Sequence, residues 1–245
     1  MALRYGGGLA GTFVVIAAHA FEARAAAAVG RGMGREAWGQ WSLHRGEMWE
    51  LPLAVIRCGP GKVAAAAATQ AAVQYLNPVA LISFGTAGCH DPAVKLGTLT
   101  VAGSVVDVAL SELGELPVRI PYRFDPEPDL NSRLLEVPGC RLATLLCWEG
   151  HVVSPISRPA LLKGLDGLVV VDWESAAVAH VAEMWDVPWA AVKVVSDHGE
   201  ADRLRYLAAV ARRPLQWAAE VMRRACYGFT CDRGGVAVPT EPEGG

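Results

Sequence analysis

The sequence predicts a single-domain three-layer α/β/α sandwich built around a central mixed sheet. Short β-branched apolar runs alternate with alanine-rich helical stretches along most of the chain. Its 245 residues are 52% hydrophobic and 19% charged, enough to close one sizeable core. No internal repeat or linker-like stretch divides them.

Phe13–Ala18 is apolar and β-branched and reads as a buried strand, followed by a helix over Phe21–Val29. Trp41–Arg45 and Leu51–Arg57 flank Gly46–Glu50 and suggest a hairpin or two neighbouring strands. The turn Gly59-Pro60-Gly61 opens an alanine-rich helix, Lys62–Tyr75. Val79–Phe84 is a buried strand that Gly85-Thr86-Ala87-Gly88 is expected to end. Further strands are expected at Thr98–Val101, Val105–Val108, Leu142–Leu146, Leu168–Val171 and Ala190–Val195. Ser111 to Gly139, rich in prolines and charges, reads as one long surface connection. Helices at Ser175–Met184 and Leu207–Arg224 close the pattern, and residues 228–245 read as a frayed tail.

Composition excludes several classes of function. A net charge of −3 gives no electrostatic footprint for nucleic acid or an anionic membrane. Six cysteines without a CxxC pair or metal-ligand spacing read as scattered reduced thiols, hence a cytoplasmic protein. Arg4, Phe13–Ala18 and Ala18-His19-Ala20 imitate a secretory signal, but the apolar run is short and is needed as a strand. No stretch reaches the roughly 18–20 apolar residues of a membrane span. The six histidines show neither HExxH nor paired spacing, so no metal is expected.

Three acids fall at junctions after strands, where ligands collect in sheets of this kind. Glu22 follows the first strand, Glu174 lies in Asp172-Trp173-Glu174-Ser175, and Asp197 lies in Ser196-Asp197-His198-Gly199. Each also has a local explanation, since a helix N-terminus favours Glu22 and Glu174 and a turn favours Asp197. The glycine-rich pieces fit neither a P-loop nor a dinucleotide fingerprint. Gly59-Pro60-Gly61-Lys62 lacks the upstream glycine and following hydroxyl, and Gly88 is followed by Cys89-His90-Asp91. No organic cofactor is expected.

Taken in order, Phe13–Glu22, Gly59-Pro60-Gly61-Lys62-Val63-Ala64, Ser83-Phe84-Gly85-Thr86-Ala87-Gly88, Asp172-Trp173-Glu174-Ser175-Ala176-Ala177 and Val194-Val195-Ser196-Asp197 form a familiar set. The chain resembles the purine and uridine phosphorylase superfamily, and within it the methylthioadenosine/S-adenosylhomocysteine nucleosidases and related nucleoside hydrolases. The likeness spans residues 12–224 and implies a nucleoside phosphorylase-like fold and cleavage of a purine nucleoside at its N-glycosidic bond.

The resemblance assigns roles that suit the chemistry. Cleavage passes through a ribosyl oxocarbenium ion, so the base must be protonated and a nucleophile brought to C1′. Asp197 is expected to protonate purine N7, with Ser196 orienting it, and Glu22 to hold and deprotonate water. Glu174 is expected to accept from the ribose 2′ and 3′ hydroxyls, with Thr86 placing a hydroxyl near the ribose or nucleophile.

Water is expected over phosphate because Leu81-Ile82-Ser83-Phe84-Gly85 lacks the arginine that phosphorylases of this superfamily carry there. Arg24 and Lys62 remain the alternative phosphate ligands. Aspartate at 197 points to a 6-aminopurine. The departures from the nucleosidases are Trp173 in place of methionine and Lys193 in place of arginine. The base is expected to stack on Trp148 or His151, and Ser104–Leu110 has no clear counterpart of the usual 5′ pocket.

The 5′ substituent therefore stays open, with adenosyl-hopanoid or futalosine types among the candidates. A phosphorylase and a non-catalytic nucleoside-binding protein are the competing readings. The hydrolase branch also implies a homodimer.

Overall fold

The computed structural model describes residues 11–49, 51–107, 122–149, 162, 165, 167–199 and 213–232, with side chains in the last segment through residue 229. Their order is β1 (Thr12–Ala17), α1 (Ala20–Ala27), β2 (Arg31–Trp38), β3 (Trp41–Met48), β4 (Leu51–Arg57), α2 (Lys62–Leu76) and β5 (Pro78–Cys89). Then come β6 (Leu99–Asp107), β7 (Tyr122–Phe124), α3 (Pro128–Leu135), β8 (Cys140–Cys147), β9 (Val169–Asp172), α4 (Ser175–Met184), β10 (Trp189–Asp197) and α5 (Arg213–Asp232). All strands join one mixed sheet, and the fold is mixed α/β as the sequence predicts.

The inner strands β1, β4, β5 and β10 are buried on both faces, which is why they read as continuous apolar runs. In β1, Phe13, Val15 and Ala17 enter a core with Leu130 and Leu134 of α3 and Leu215 and Met222 of α5. The intervening Val14 and Ile16 face the opposite core, formed with α2 and α4. There Ala65, Ala68 and Ala72 make a small-residue stripe on α2, which lets the helix lie close over the strands. Asn77, at φ 46, ends α2 in the left-handed region that asparagine tolerates.

One half of the sheet closes on itself. Strand β5 pairs with β10, β10 with β6, β6 with β8, β8 with β9, and β9 returns to β5. The other half, β1–β4–β3–β2, runs outward from β5 as an open sheet. Parallel pairing of β1, β5 and β10 brings the C-terminal ends of all three to one edge.

Several element boundaries differ from the sequence expectation. Gly85-Thr86-Ala87-Gly88 continues β5 instead of ending it, because Lys193 to Asp197 of β10 pair alongside. Thr98–Val101 and Val105–Val108 are not two strands: β6 runs through both, with a register shift between Ala102 and Ser104. Residue 108 itself lies outside the described residues. The supposed connection Ser111–Gly139 contains β7 and α3, with residues 111–121 outside the description. Pro128 sits at the start of α3, where a missing N–H does no harm, so the proline that suggested a loop opens a helix. Helix α5 continues through Gly228 to Asp232, so the tail begins later than position 228.

Among the described residues, no helix is long and apolar enough to cross a membrane.

Candidate active site

The edge where β1, β5 and β10 end is also where β9 delivers its last residue, Asp172. Glu22 lies in the first turn of α1, Glu174 immediately before α4, and Asp197 at the end of β10. The three acids singled out in the sequence thus reach this edge from three strand ends.

Glu22 is 2% exposed and fully engaged. Its Oε1 accepts from the Thr86 backbone N–H and the Thr86 hydroxyl, both at 2.8 Å. Its Oε2 accepts from the His19 backbone N–H at 2.9 Å, so the carboxylate also caps its own helix. The close approach requires glycine at 85, where a Cβ would lie 2.7 Å from Glu22 Oε1.

Asp197 meets the same strand further on. The Ser196 hydroxyl donates to Oδ2 at 2.8 Å and also lies 3.2 Å from the Ala87 carbonyl oxygen. The Gly199 backbone N–H donates to Oδ1 at 2.9 Å, and a Cβ on Gly88 would stand 3.2 Å from that oxygen. The backbone of β5 therefore acts as a ruler. Thr86 fixes Glu22 and Gly88 faces Asp197, two residues or roughly 7 Å along an extended strand.

Glu174 is held differently. It is the residue before α4, yet its side chain does not cap that helix. Instead Oε1 accepts the Gly61 backbone N–H at 2.8 Å, at the N-terminus of α2. Gly61 has φ +95, a left-handed conformation that suits glycine. Burial, then the charge of Asp172, pushes the Glu174 carboxyl up to about 7, against the opposing pull of Lys193 and the Gly61 amide.

Beneath Glu174 lies a buried ion pair. Lys193 Nζ is 2.8 Å from Asp172 Oδ2, with side-chain exposures of 2% and 1%. Burial alone would lower the Lys193 pKa; Asp172 and then Glu174 outweigh it and raise the pKa overall. Lys193 thus meets Asp172 at the site and is as buried as Glu22, each 2% exposed. Trp173 is partly buried between Asp172 and Glu174. Trp148 packs against Val106, Leu146 and Val171, and His151 lies outside the described residues.

Asp172 was quoted in the sequence motif without a role. Its signal was present as an acid ending a buried strand, but its lysine partner lies on a strand distant in sequence. Glu149 was missed as well: its Oε1 accepts the Lys62 backbone N–H, beside Gly61. Lys62 Nζ meets Asp107 at 2.6 Å, and Arg24 is exposed on α1. Among the described residues, no group of three or more His, Cys, Asp or Glu could hold a metal ion.

Residues 12–225 match the model of the phosphorylase superfamily. The chain belongs to this superfamily. Among its curated relatives, a methylthioadenosine/S-adenosylhomocysteine nucleosidase of a Shewanella species is 28% identical over 160 residues, covering 60% of this chain and 69% of the relative. The enzyme of the same name from Staphylococcus haemolyticus is 24% identical over 173 residues, covering 65% and 75%.

The nucleosidase of Neisseria meningitidis, solved with methylthio-immucillin-A, gives a TM-score of 0.77 at 19% identity, over 89% of this chain and 99% of that one. A futalosine hydrolase of Helicobacter pylori gives 0.78 at 19% identity, over 89% and 98%. At these identities the solved structures establish a shared fold.

Proposed function

We propose that this superfamily member is a purine-nucleoside N-ribosyl hydrolase acting on 6-aminopurine nucleosides with water. The carrying observation is the Glu22 corner and its spacing from Asp197. A buried carboxylate fixed by Thr86 stands two residues along β5 from the position facing the second acid.

In this reading Asp197 gives a proton to purine N7, and Ser196 and Gly199 hold its carboxyl at the correct angle. Glu22 orients water toward C1′ and removes its proton. Glu174, when ionised, accepts from the ribose hydroxyls and stabilises the positive charge that develops on the sugar. These roles draw on the protein's own side chains, the Gly199 backbone N–H and water, which suffice for the reaction without a metal or organic cofactor.

Water is favoured over phosphate by the state of the nearby cations. Phosphate recognition needs several available donors of positive charge. Of the two alternative phosphate ligands, Lys62 is paired with Asp107, which leaves the exposed Arg24, and Lys193 is buried on Asp172. The curated nucleosidases among the relatives support the same choice, since their names state the hydrolysis of methylthioadenosine and S-adenosylhomocysteine.

The deciding assay is chromatographic release of free base from adenosine, methylthioadenosine, S-adenosylhomocysteine and inosine, with and without phosphate. Adenine release without phosphate is expected, ranked by the 5′ group, with inosine poor. Strict dependence on phosphate would make the chain a phosphorylase.

The working form is proposed to be a cytoplasmic homodimer. Helices α2 and α4 leave Val63 at 82%, Tyr75 at 74%, Met184 at 68% and Trp185 at 46% exposure, an apolar surface suited to a second copy. Light scattering is expected to give twice the 26.0 kDa chain mass. The buried thiols Cys58, Cys89 and Cys147 accord with a reducing compartment.

A further inference from the structure

The mechanism above uses Glu22, Glu174 and Asp197, and leaves unused two further buried charges at the site, Asp172 and Lys193. Asp172 Oδ2 accepts from Lys193 Nζ at 2.8 Å, from the Ser175 backbone N–H at 3.1 Å and from the Ser175 hydroxyl. The Ser175 hydroxyl lies 3.1 Å from that of Ser83 on β5. Asp172 thereby pins the residue after Glu174 while itself preceding Glu174 by two. The turn carrying Glu174 is tied at both ends to a carboxylate that Lys193 holds in place.

The other oxygen, Asp172 Oδ1, is buried and has no hydrogen-bond partner among the described residues. A carboxylate left half-satisfied in a core carries a desolvation cost that only a nearby cation offsets. Lys193 supplies that cation from the middle of β10, where it pairs with Gly85, the glycine whose open side receives Glu22. One ammonium thus stands among three carboxylates that arrive on different elements.

We propose that Lys193 and Asp172 are positioning residues of the hydrolytic site, a buried ion pair that fixes both the aim and the charge of Glu174 from behind. The inference rests on the reading of Glu174 as the ionised ribose-binding group.

The groups facing Glu174 are Asp172 from β9, Lys193 from β10, Glu22 from α1, the Gly61 amide from α2 and the Cys58 thiol after β4. Cys58 stays protonated, because burial, then Glu174, pushes it up to about 12. Lys193 is the only full positive charge in that set, and Asp172 the negative charge that acts most strongly on Glu174. Removing one or the other must therefore move the ionisation of Glu174 in opposite directions. A role confined to holding the fold together would not do so.

The test is the pH dependence of kcat/KM for adenine release in wild type and five variants. The acid limb of the wild-type profile is expected to have its midpoint near 7, the value to which burial and Asp172 bring Glu174. Lys193→Met should move that midpoint up by about 1 in pH, and Asp172→Asn should move it down by a similar amount. Lys193→Arg keeps the charge and should leave the midpoint in place.

Either single neutralisation leaves a partner buried alone at a cost to folding, so the double variant Lys193→Met/Asp172→Asn serves as the second measurement. It should fold, as near-ultraviolet circular dichroism reads, and place its midpoint between those of the singles. Midpoints unchanged in both neutralising variants, or shifted the same way, would overturn the inference while leaving the role of Glu174 intact. A wild-type limb that persists in Glu174→Gln would instead remove the role of Glu174 itself.

Discussion

At the Glu22 corner two backbone amides and a hydroxyl close on one buried carboxylate. At the Glu174 corner a single backbone amide meets a carboxyl that shares its burial with Asp172 and is pushed up to about 7. Both residues are glutamates beside helix starts, and in sequence both carry the same local explanation. The surroundings separate them. Three donors fix the aim of a group that must hold water, whereas burial and a neighbouring carboxylate leave Glu174 poised between two protonation states. The lesson is that role follows the second layer of contacts more than residue type.

The comparison can be broken from either side. The largest loss is expected outside both corners, at the shared partner Asp197. Asp197→Asn should lower kcat about 10⁴-fold with an unchanged circular dichroism spectrum. Near-normal turnover in that variant would remove its role as proton donor. Glu22→Gln should follow with about 10³-fold, since it keeps the shape and loses the base.

Gly85→Ala tests the same corner while keeping Glu22 itself. Its new Cβ would stand 2.7 Å from Glu22 Oε1 and must displace it. About 10²-fold loss in kcat/KM is expected, and a wild-type rate would show that the aim of Glu22 is unimportant.

The smallest effect sharpens the other side. A glutamate held above its usual value of 4.5 by the fold stabilises the protein below that value, relative to higher pH. The contribution is lost as pH rises through about 7, because folding then demands that a buried carboxyl ionise. The melting temperature of wild type should therefore fall more between these two pH values than that of Glu174→Gln. Parallel curves would contradict the strained state of this corner.

What could be read in the sequence follows the same physics. Strand β1 and helices α2 and α4 were legible because their apolar patterns report direct burial. Strand β2 was not, since it is an edge strand with Arg31, Gly32 and Arg35 exposed and no apolar alternation. Gly85 and Gly88 of β5 suggest a stop, although a ladder needs backbone alone and Glu22 and Asp197 fill the space that side chains there would take.

The acids at 22, 174 and 197 could be named from position after strands. Their partners could not, because Gly61, Asp172 and Lys193 come from three separated stretches that only the closing of β5, β9 and β10 brings near. Lys193, noted in the sequence only as standing in place of arginine, meets Asp172 in the fold.

The central claim is that water, not phosphate, attacks C1′. The most direct test is the product balance from an adenine nucleoside turned over in excess phosphate. The account predicts one free reducing sugar for every adenine released and no sugar 1-phosphate. A stoichiometric yield of sugar 1-phosphate would contradict it.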